Sequence, residues 1–434
     1  MSRETISSIK QFLFPRGTRR YFFASVASHA FHFPKTISSI THNLALRKGL
    51  YSLPTAFKST TGAPLLFIED VFPDPRIGSG APRTCQILEI LIEQGYRITF
   101  LPLMPAKDVN PSVAYFQGKG VEFLFGNSPA ERPVITSLLQ FRKNFYKVII
   151  VSRPLNLKGL YNTIRRCQRN AKIIYDAEAV FATRKTMYQK LIGKPLTISA
   201  EKRLIEQEMV LARKADSILA VSDNEAGLFR THSCPSVFVV GHSVVVRPSK
   251  ASFSERNGIL FVGSILNSPS PNEDAVLYFI NEILPLIRRE IDAGFTIVGH
   301  TMSERVRACQ SNVVTVAGVV EDLAPLYNSF RIFVAPTRFS AGVPLKVYDA
   351  AANGLPAVAT PLLCSQLGWE QEKEILCGAT STDFAKACIK LLSDPDLWLR
   401  IRNNALEKVR NDCDHTRFHT QLLSAVGSDS GHRL

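Results

Sequence analysis

The chain has 434 residues, 45% of them hydrophobic and 21% charged, which is the usage of an ordinary globular protein of two or three domains. Such a composition excludes a disordered, collagen-like or coiled-coil chain. Lys and Arg number 52 against 37 Asp and Glu, a formal +15 that favours an anionic partner: nucleic acid, an acidic membrane face or a phosphorylated substrate.

The excess charge is concentrated at the start. Residues 1–60 carry Arg3, Lys10, Arg16, Arg19, Arg20, Lys35, Arg47, Lys48 and Lys58 against Glu4 alone. The remainder is only mildly basic, which argues against a nucleic-acid partner. Short apolar clusters (Phe12-Leu13-Phe14, Tyr21-Phe22-Phe23) punctuate this basic extension. Two readings stand: a helical segment lying on an anionic membrane surface, or an extension packed on the first domain.

No signal-peptide pattern and no run of about 18 apolar residues occurs. The eight cysteines, Cys85, Cys167, Cys234, Cys309, Cys364, Cys377, Cys388 and Cys413, include no C-x-x-C pair and no His at finger spacing. A zinc site is therefore not expected, and reduced thiols of a cytoplasmic protein, peripheral at most to the inner face of a membrane, are.

From Pro64 buried strands alternate with helices. Strands are expected at 65–68, 97–103, 122–125, 147–151, 172–175, 217–221 and 237–240, with helices at 85–94 and 199–214. A second set follows: strands at 259–262, 295–298, 313–317, 331–335 and 356–359, with helices at 272–289 and within 382–408. This alternation implies mostly parallel sheets covered on both faces. The polar, aperiodic segment 247–257 reads as a linker. The expected organisation is a basic extension (1–60), a Rossmann-like domain (61–246), the linker (247–257), a second Rossmann-like domain (258–426) and a tail (427–434). The fold class is α/β, with parallel sheets facing a central cleft.

In such sheets ligands sit beyond the carboxyl ends of the strands. After the first strand, Gly78, Ser79 and Gly80 precede a helix, an arrangement that lets amides approach an anion; a plain tight turn explains it equally well. The loop is not G-x-G-x-x-G and no acid ends the second strand, so a dinucleotide is not expected. In the second domain Phe261-Val262-Gly263-Ser264 delivers a glycine to another loop before a helix, again readable as a phosphate site or a turn. The richest stretch runs from Val334 to Pro356. Pro344 suits a first helical turn, and Arg338 and Lys346 bracket that helix start, adding full charges to its dipole. A diphosphate fits there. Asp349, among apolar neighbours one turn on, wants a donor that sugar hydroxyls supply. The bland alternatives are surface cations and an Asp paired with a basic neighbour.

These residues resemble the donor-binding half of group 1 (family 4) glycosyltransferases of the GT-B fold. The matching pieces are F-V-G-S, P-N-x-D-A (Pro271 to Ala275), I-V-G (Ile297 to Gly299), G-x-V-x-D-L (Gly318 to Leu323), R-I-F-V-A-P, the run from Ala341 to Thr360, and Q-L-G-W (Gln366 to Trp369). The first half matches more loosely, through Asp70 to Gly80 and Tyr175 to Ala179; residues 1–60 are not covered.

The resemblance implies that Asp349 stands where the family usually has the second Glu of its paired-Glu motif, which holds the donor's ribose. The first Glu has no match, its place being taken by the Arg338–Ala341 loop, and Ser264 stands where many members carry Arg. Lys346 and the amides of Gly342, Val343, Pro344 and Leu345 are implied to contact the diphosphate or sugar, together with Gly263 and Ser264. Gly78, Ser79, Gly80 and His242 are implied on the acceptor side, with a satisfied hinge histidine as the other reading of His242. Glu178 and Asp176 are cleft candidates for acid/base work or for strand-end capping. The implied activity is transfer of a sugar from a nucleotide-diphosphate sugar to a glycan, lipid-linked or other hydroxyl acceptor. Retention of configuration and the absence of a metal or other cofactor are implied with it, the donor being a co-substrate. A weakly active nucleotide-sugar-binding protein of the same fold is the alternative.

Overall fold

The computed structural model describes residues 50–52, 62–75, 80–104, 111–126 and 132–427. Two sheets organise the described residues. The first has eight strands: β1 (Leu50–Ser52), β2 (Pro64–Glu69), β3 (Arg97–Pro102), β4 (Glu122–Gly126), β5 (Val148–Ser152), β6 (Lys172–Asp176), β7 (Ser217–Ala220) and β8 (Val237–Val239), in the spatial order β1-β4-β3-β2-β5-β6-β7-β8. All pairs are parallel except β1 with β4. The second has six: β9 (Ile259–Val262), β10 (Phe295–Val298), β11 (Val314–Gly318), β12 (Ile332–Ala335), β13 (Ala357–Ala359) and β14 (Leu376–Cys377), ordered β11-β10-β9-β12-β13-β14 and parallel throughout.

The reason is legible in the residues. The central strands are apolar without alternation, so both faces need covering by helices. Leu65 to Ile68, Ile149 to Val151 and Ile259 to Phe261 are all 0% exposed. Each domain accordingly has two cores, one on each side of its sheet.

Several expectations need correction. Leu50–Ser52 is an edge strand of the first sheet, so the basic extension ends before residue 50; the rest of it lies outside the described residues. The second domain does not run to residue 426. The helix His415–Val426 returns to the first domain, where Phe418, Leu422, Ala425 and Val426 join the core with Leu65 and Phe67. The segment 247–257 is no free linker. Arg256 is fully buried, its guanidinium donating to the carbonyls of Tyr327 and Phe330 and lying 5.3 Å from the Trp398 ring. The fold brings Cys364 and Cys377 side by side, their Cα atoms 7.0 Å apart, a proximity that their spacing of 13 residues does not signal. The other six cysteines are free.

The 272–289 helix forms as Pro271–Tyr278, a π-type stretch Phe279–Ile283 and Leu284–Arg288. Pro285 cannot donate a backbone bond, and the widened turn absorbs that loss without ending the helix. Among the described residues no helix is long and apolar enough to cross a membrane.

Candidate active site

The carboxyl ends of both sheets converge on one gap. On the second-domain side, β9 ends at Val262 and hands the chain to Gly263 and Ser264. A Cβ on Gly263 would lie 2.9 Å from Asn272 Nδ2 and 3.1 Å from the Phe261 ring. Gly299, with φ +133°, sits so close that a Cβ would meet the Gly263 carbonyl oxygen at 2.5 Å. Only glycines allow this packing. It places Asn272 to donate to the Ser264 carbonyl at 2.8 Å while its own carbonyl oxygen accepts from Lys346 Nζ.

Lys346 is the principal cation here. Its ammonium lies 4.6 Å from the centre of the Phe261 ring and has no carboxylate partner among the described residues. Burial alone pushes its pKa down to about 8. A desolvated cation with neutral neighbours is a site for an anion. One helical turn on, Asp349 is raised to about 7 by burial, beside the Tyr327 hydroxyl. That hydroxyl is itself buried without a hydrogen-bond partner among the described residues. Spacing of three along the helix Leu345–Ala352 puts Lys346 and Asp349 on one face.

Other expected donor contacts come out differently. Arg338 does not point a free charge at the helix start: it makes a two-pronged pair with Asp274 (3.0 and 2.6 Å) and stacks 4.3 Å from the Tyr278 ring. Pro344 sits at the N-cap rather than inside the first turn. The amides of the Gly342–Leu345 loop are not a free cradle. Pro344 has none, that of Leu345 donates to the Val343 carbonyl at 2.9 Å, and that of Gly342 donates to Glu225 at 3.0 Å. The Val343 amide has no acceptor among the described residues. The Gly263 amide is likewise engaged, donating to the Val298 carbonyl at 2.9 Å, so the anion-binding capacity among the described residues rests chiefly on the Lys346 ammonium.

On the first-domain side, Arg153 and Glu178 leave β5 and β6 in left-handed backbone, φ 72° and 53°, a strained conformation for non-glycine residues. The strain aims them at each other: Arg153 Nε donates to Glu178 Oε2 at 3.0 Å, and Arg153 Nη1 to Asp70 Oδ2 at 2.7 Å. Glu69 Oε1 lies 3.3 Å from the same guanidinium. Three carboxyls thus share one arginine. Burial, reinforced by their mutual repulsion, raises Glu69 well above the usual carboxylate range; burial likewise raises Glu178. Glu178 also reaches the start of the first helix, where a Cβ on Gly80 would meet its Oε1 at 2.6 Å. Gly78 and Ser79 lie outside the described residues. Asp176 is committed elsewhere, in a buried pair with Arg83 (2.8 Å to both oxygens).

His242 is buried and held neutral, its pKa pushed down to about 3 by burial and by Arg83. It lines a cavity of about 230 Å³ between the domains, with Asn224, Val343, Tyr348 and Gln366. Among the described residues no cluster of three or more His, Cys, Asp or Glu is arranged to hold a metal ion.

Asn272, Glu225 and the Glu69–Arg153 pair escape the sequence reading. Asn272 is visible inside the P-N-x-D-A match, where no role attaches to it. The left-handed turn at Arg153 leaves no trace in composition.

Comparison with known proteins fits this geometry. Residues 256–394 match the family model described as glycosyl transferases group 1. A curated relative, an uncharacterized 44.6 kDa protein in the cps region of Klebsiella pneumoniae, is 24% identical over 222 residues. That match takes in 48% of this chain and 55% of the relative, so the chain spans about half the length of the curated relative it matches. Solved structures of similar fold include sucrose-phosphate synthase from Thermosynechococcus elongatus (TM-score 0.64, 14% identity, 83% of this chain and 98% of that one). Anabaena HepE in complex with UDP and glucose aligns at TM-score 0.63 and 14% identity, over 85% of this chain and 100% of its own. TarM aligns at 0.62 and 10%, over 86% and 100%. Residues 256–394 thus match the group 1 glycosyltransferase model, and the chain shares the two-sheet α/β architecture of the GT-B structures it resembles.

Proposed function

We propose that the protein transfers a sugar from a nucleotide-diphosphate sugar to a hydroxyl of a glycan or lipid-linked acceptor. The observation that carries this reading is Lys346: a desolvated ammonium without a counter-ion among the described residues, at the carboxyl edge of the second sheet, one turn from a carboxyl that burial raises to about 7. A diphosphate leaving group gains negative charge as the glycosidic bond breaks, and a preorganised cation stabilises that charge more in the transition state than before it. Asp349 takes hydroxyls of the ribose. HepE structures with UDP and with UDP-glucose make a uridine nucleotide the first donor to try.

In this reading the acceptor enters on the side of Glu178 and Arg153. Glu178, its carboxyl raised above the usual range by burial, is placed to exchange a proton with the acceptor hydroxyl. No protein nucleophile is invoked, so retention of configuration requires the acceptor hydroxyl to attack the face from which the diphosphate departs, and the cation at Lys346 does the work a metal ion does in other transferases. The basic residues before position 50 bring the enzyme to anionic lipid.

A second reading, nucleotide-sugar binding with little turnover, draws on Arg338, whose charge Asp274 already neutralises. A thermal-shift screen against UDP-, GDP-, dTDP- and ADP-sugars, followed by donor hydrolysis with each binder, separates the two. Binding with turnover supports the transferase; binding without any turnover, with or without acceptor, supports the second reading; no binding at all refutes both.

A further inference from the structure

Glu225 lies in the first turn of the helix Asp223–Thr231, which Ser222 caps by accepting from the Glu225 amide at 3.2 Å. In a Ser-x-x-Glu start the glutamate normally folds back onto the amide of the cap residue. Here it reaches away. Its Oε1 accepts from the Val180 amide in its own domain and from the Gly342 amide in the other, each at 3.0 Å. Its Oε2 is buried and has no hydrogen-bond partner among the described residues. A buried carboxylate oxygen left alone is costly, and what it lacks is an O–H or N–H donor. Phosphate oxygens cannot serve, since they bring no proton and repel the carboxylate. Sugar hydroxyls can.

The loop from Thr337 to Lys346 contains no Asp or Glu, and Asp274, which reaches it, is spent on Arg338. The hydroxyl of Ser340 is engaged with Gln366 at 3.0 Å. We propose that Glu225 is a specificity-determining residue of the donor site: its carboxylate, delivered from the first domain to the Gly342 loop, holds a hydroxyl of the transferred sugar and confines the diphosphate to the Lys346 side. This rests on the nucleotide-sugar reading above. It makes sugar recognition depend on both domains being in contact, whereas the nucleotide needs only the second.

Burial lifts Glu225 to about 7, so its charge changes within the working range of pH. The charged and titratable groups that act on it are Glu208 on the helix Ile198–Ala212, Arg83 on the helix Gly80–Glu93, and Tyr175 on β6. Its hydroxyl-accepting form gains population as pH rises through about 7.

The test compares wild type with Glu225→Gln, in which a carbonyl oxygen keeps both amide bonds so that the fold survives; thermal melting checks this. Calorimetry measures the affinity of UDP and UDP-glucose, and of the GDP, dTDP and ADP pairs, at pH 6 and pH 8. The expected result is unchanged nucleotide affinity in the variant and a loss of about tenfold in the extra affinity that the sugar provides. The wild-type sugar contribution is expected to grow from pH 6 to pH 8, and that of the variant to stay flat. An undiminished sugar contribution in the variant overturns the inference. So does an equal loss for nucleotide and nucleotide-sugar, which marks a structural role, or a wild type in which no sugar adds affinity. A wild type that binds no nucleotide refutes the underlying donor reading instead.

Discussion

The carboxylate of Glu225 accepts from the amide of Gly342 at 3.0 Å and so joins the two domains through a charged acceptor and a backbone donor. Gly342 has φ +82°, and a Cβ there would meet the Glu178 carbonyl oxygen at 2.9 Å. The inter-domain contact at the mouth of the cleft is thus nearly backbone against backbone. Aromatic packing of Tyr188 on Phe339, centroids 4.9 Å apart, flanks it.

The first prediction concerns Asp349. Burial raises its folded-state pKa from the ordinary 3.8 to about 7. A raised carboxyl contributes stability that is fully present below the unfolded pKa and is lost as pH climbs through about 7. Asp349→Asn should therefore leave the ligand-free protein little changed at pH 5 and stabilise it by about 1–3 kcal/mol at pH 8. Denaturant titrations at the two pH values check this. The same variant should bind nucleotide more weakly.

Arg153 should behave in the opposite sense. It neutralises Glu69, Asp70 and Glu178 together, and its removal leaves three carboxyls facing one another. Since its side chain is 31% exposed, solvent screening reduces the loss, and Arg153→Met should destabilise the protein by about 1–3 kcal/mol. The deficit should be larger at pH 8 than at pH 5, where Glu69 and Glu178, both raised by burial, more readily take up protons. Equal deficits at both values would show that packing, not charge, is what the arginine supplies.

Gly263→Ala tests the geometry behind Lys346. The added methyl group would press on Asn272 Nδ2 at 2.9 Å and displace the amide that holds the ammonium. Overpacking of this kind is expected to lower stability by about 1–3 kcal/mol. Nucleotide affinity should fall by about tenfold or more, since a displaced partner disturbs the preorganised cation. Calorimetry on the purified variant reads both effects.

The basic segment is tested by truncation. Removing residues 1–48 leaves β1 intact, and the shortened protein should melt as a folded domain pair. Its partitioning onto vesicles of anionic lipid should drop severalfold, with the full-length chain losing the same amount in high salt. Equal partitioning of both forms at low salt contradicts a membrane role for these residues.

Much of this fold could be read from strand composition. Runs such as Leu65–Ile68 and Ile259–Val262 are apolar on both faces, which only a covered parallel sheet explains. The return of the helix His415–Val426 to the first domain was not legible, because an amphipathic helix shows that it has a buried face but not which sheet receives it. The same limit applied at the site. Lys346 and Asp349 stood out because their spacing puts them on one helical face. Arg338 looked equivalent in sequence, yet Asp274, 64 residues earlier, claims its charge. Glu225 was hidden by its own local pattern, which reads as an ordinary helix start.

The most direct test is calorimetric titration of the nucleoside diphosphate chosen by the donor screen into wild type and Lys346→Met. The variant removes a desolvated charge, so it should melt higher at pH 7, by the equivalent of about 1–3 kcal/mol. It should also bind the nucleotide at least tenfold more weakly. A variant that melts higher and still binds as tightly as wild type would contradict the assignment of Lys346 as the diphosphate-holding cation.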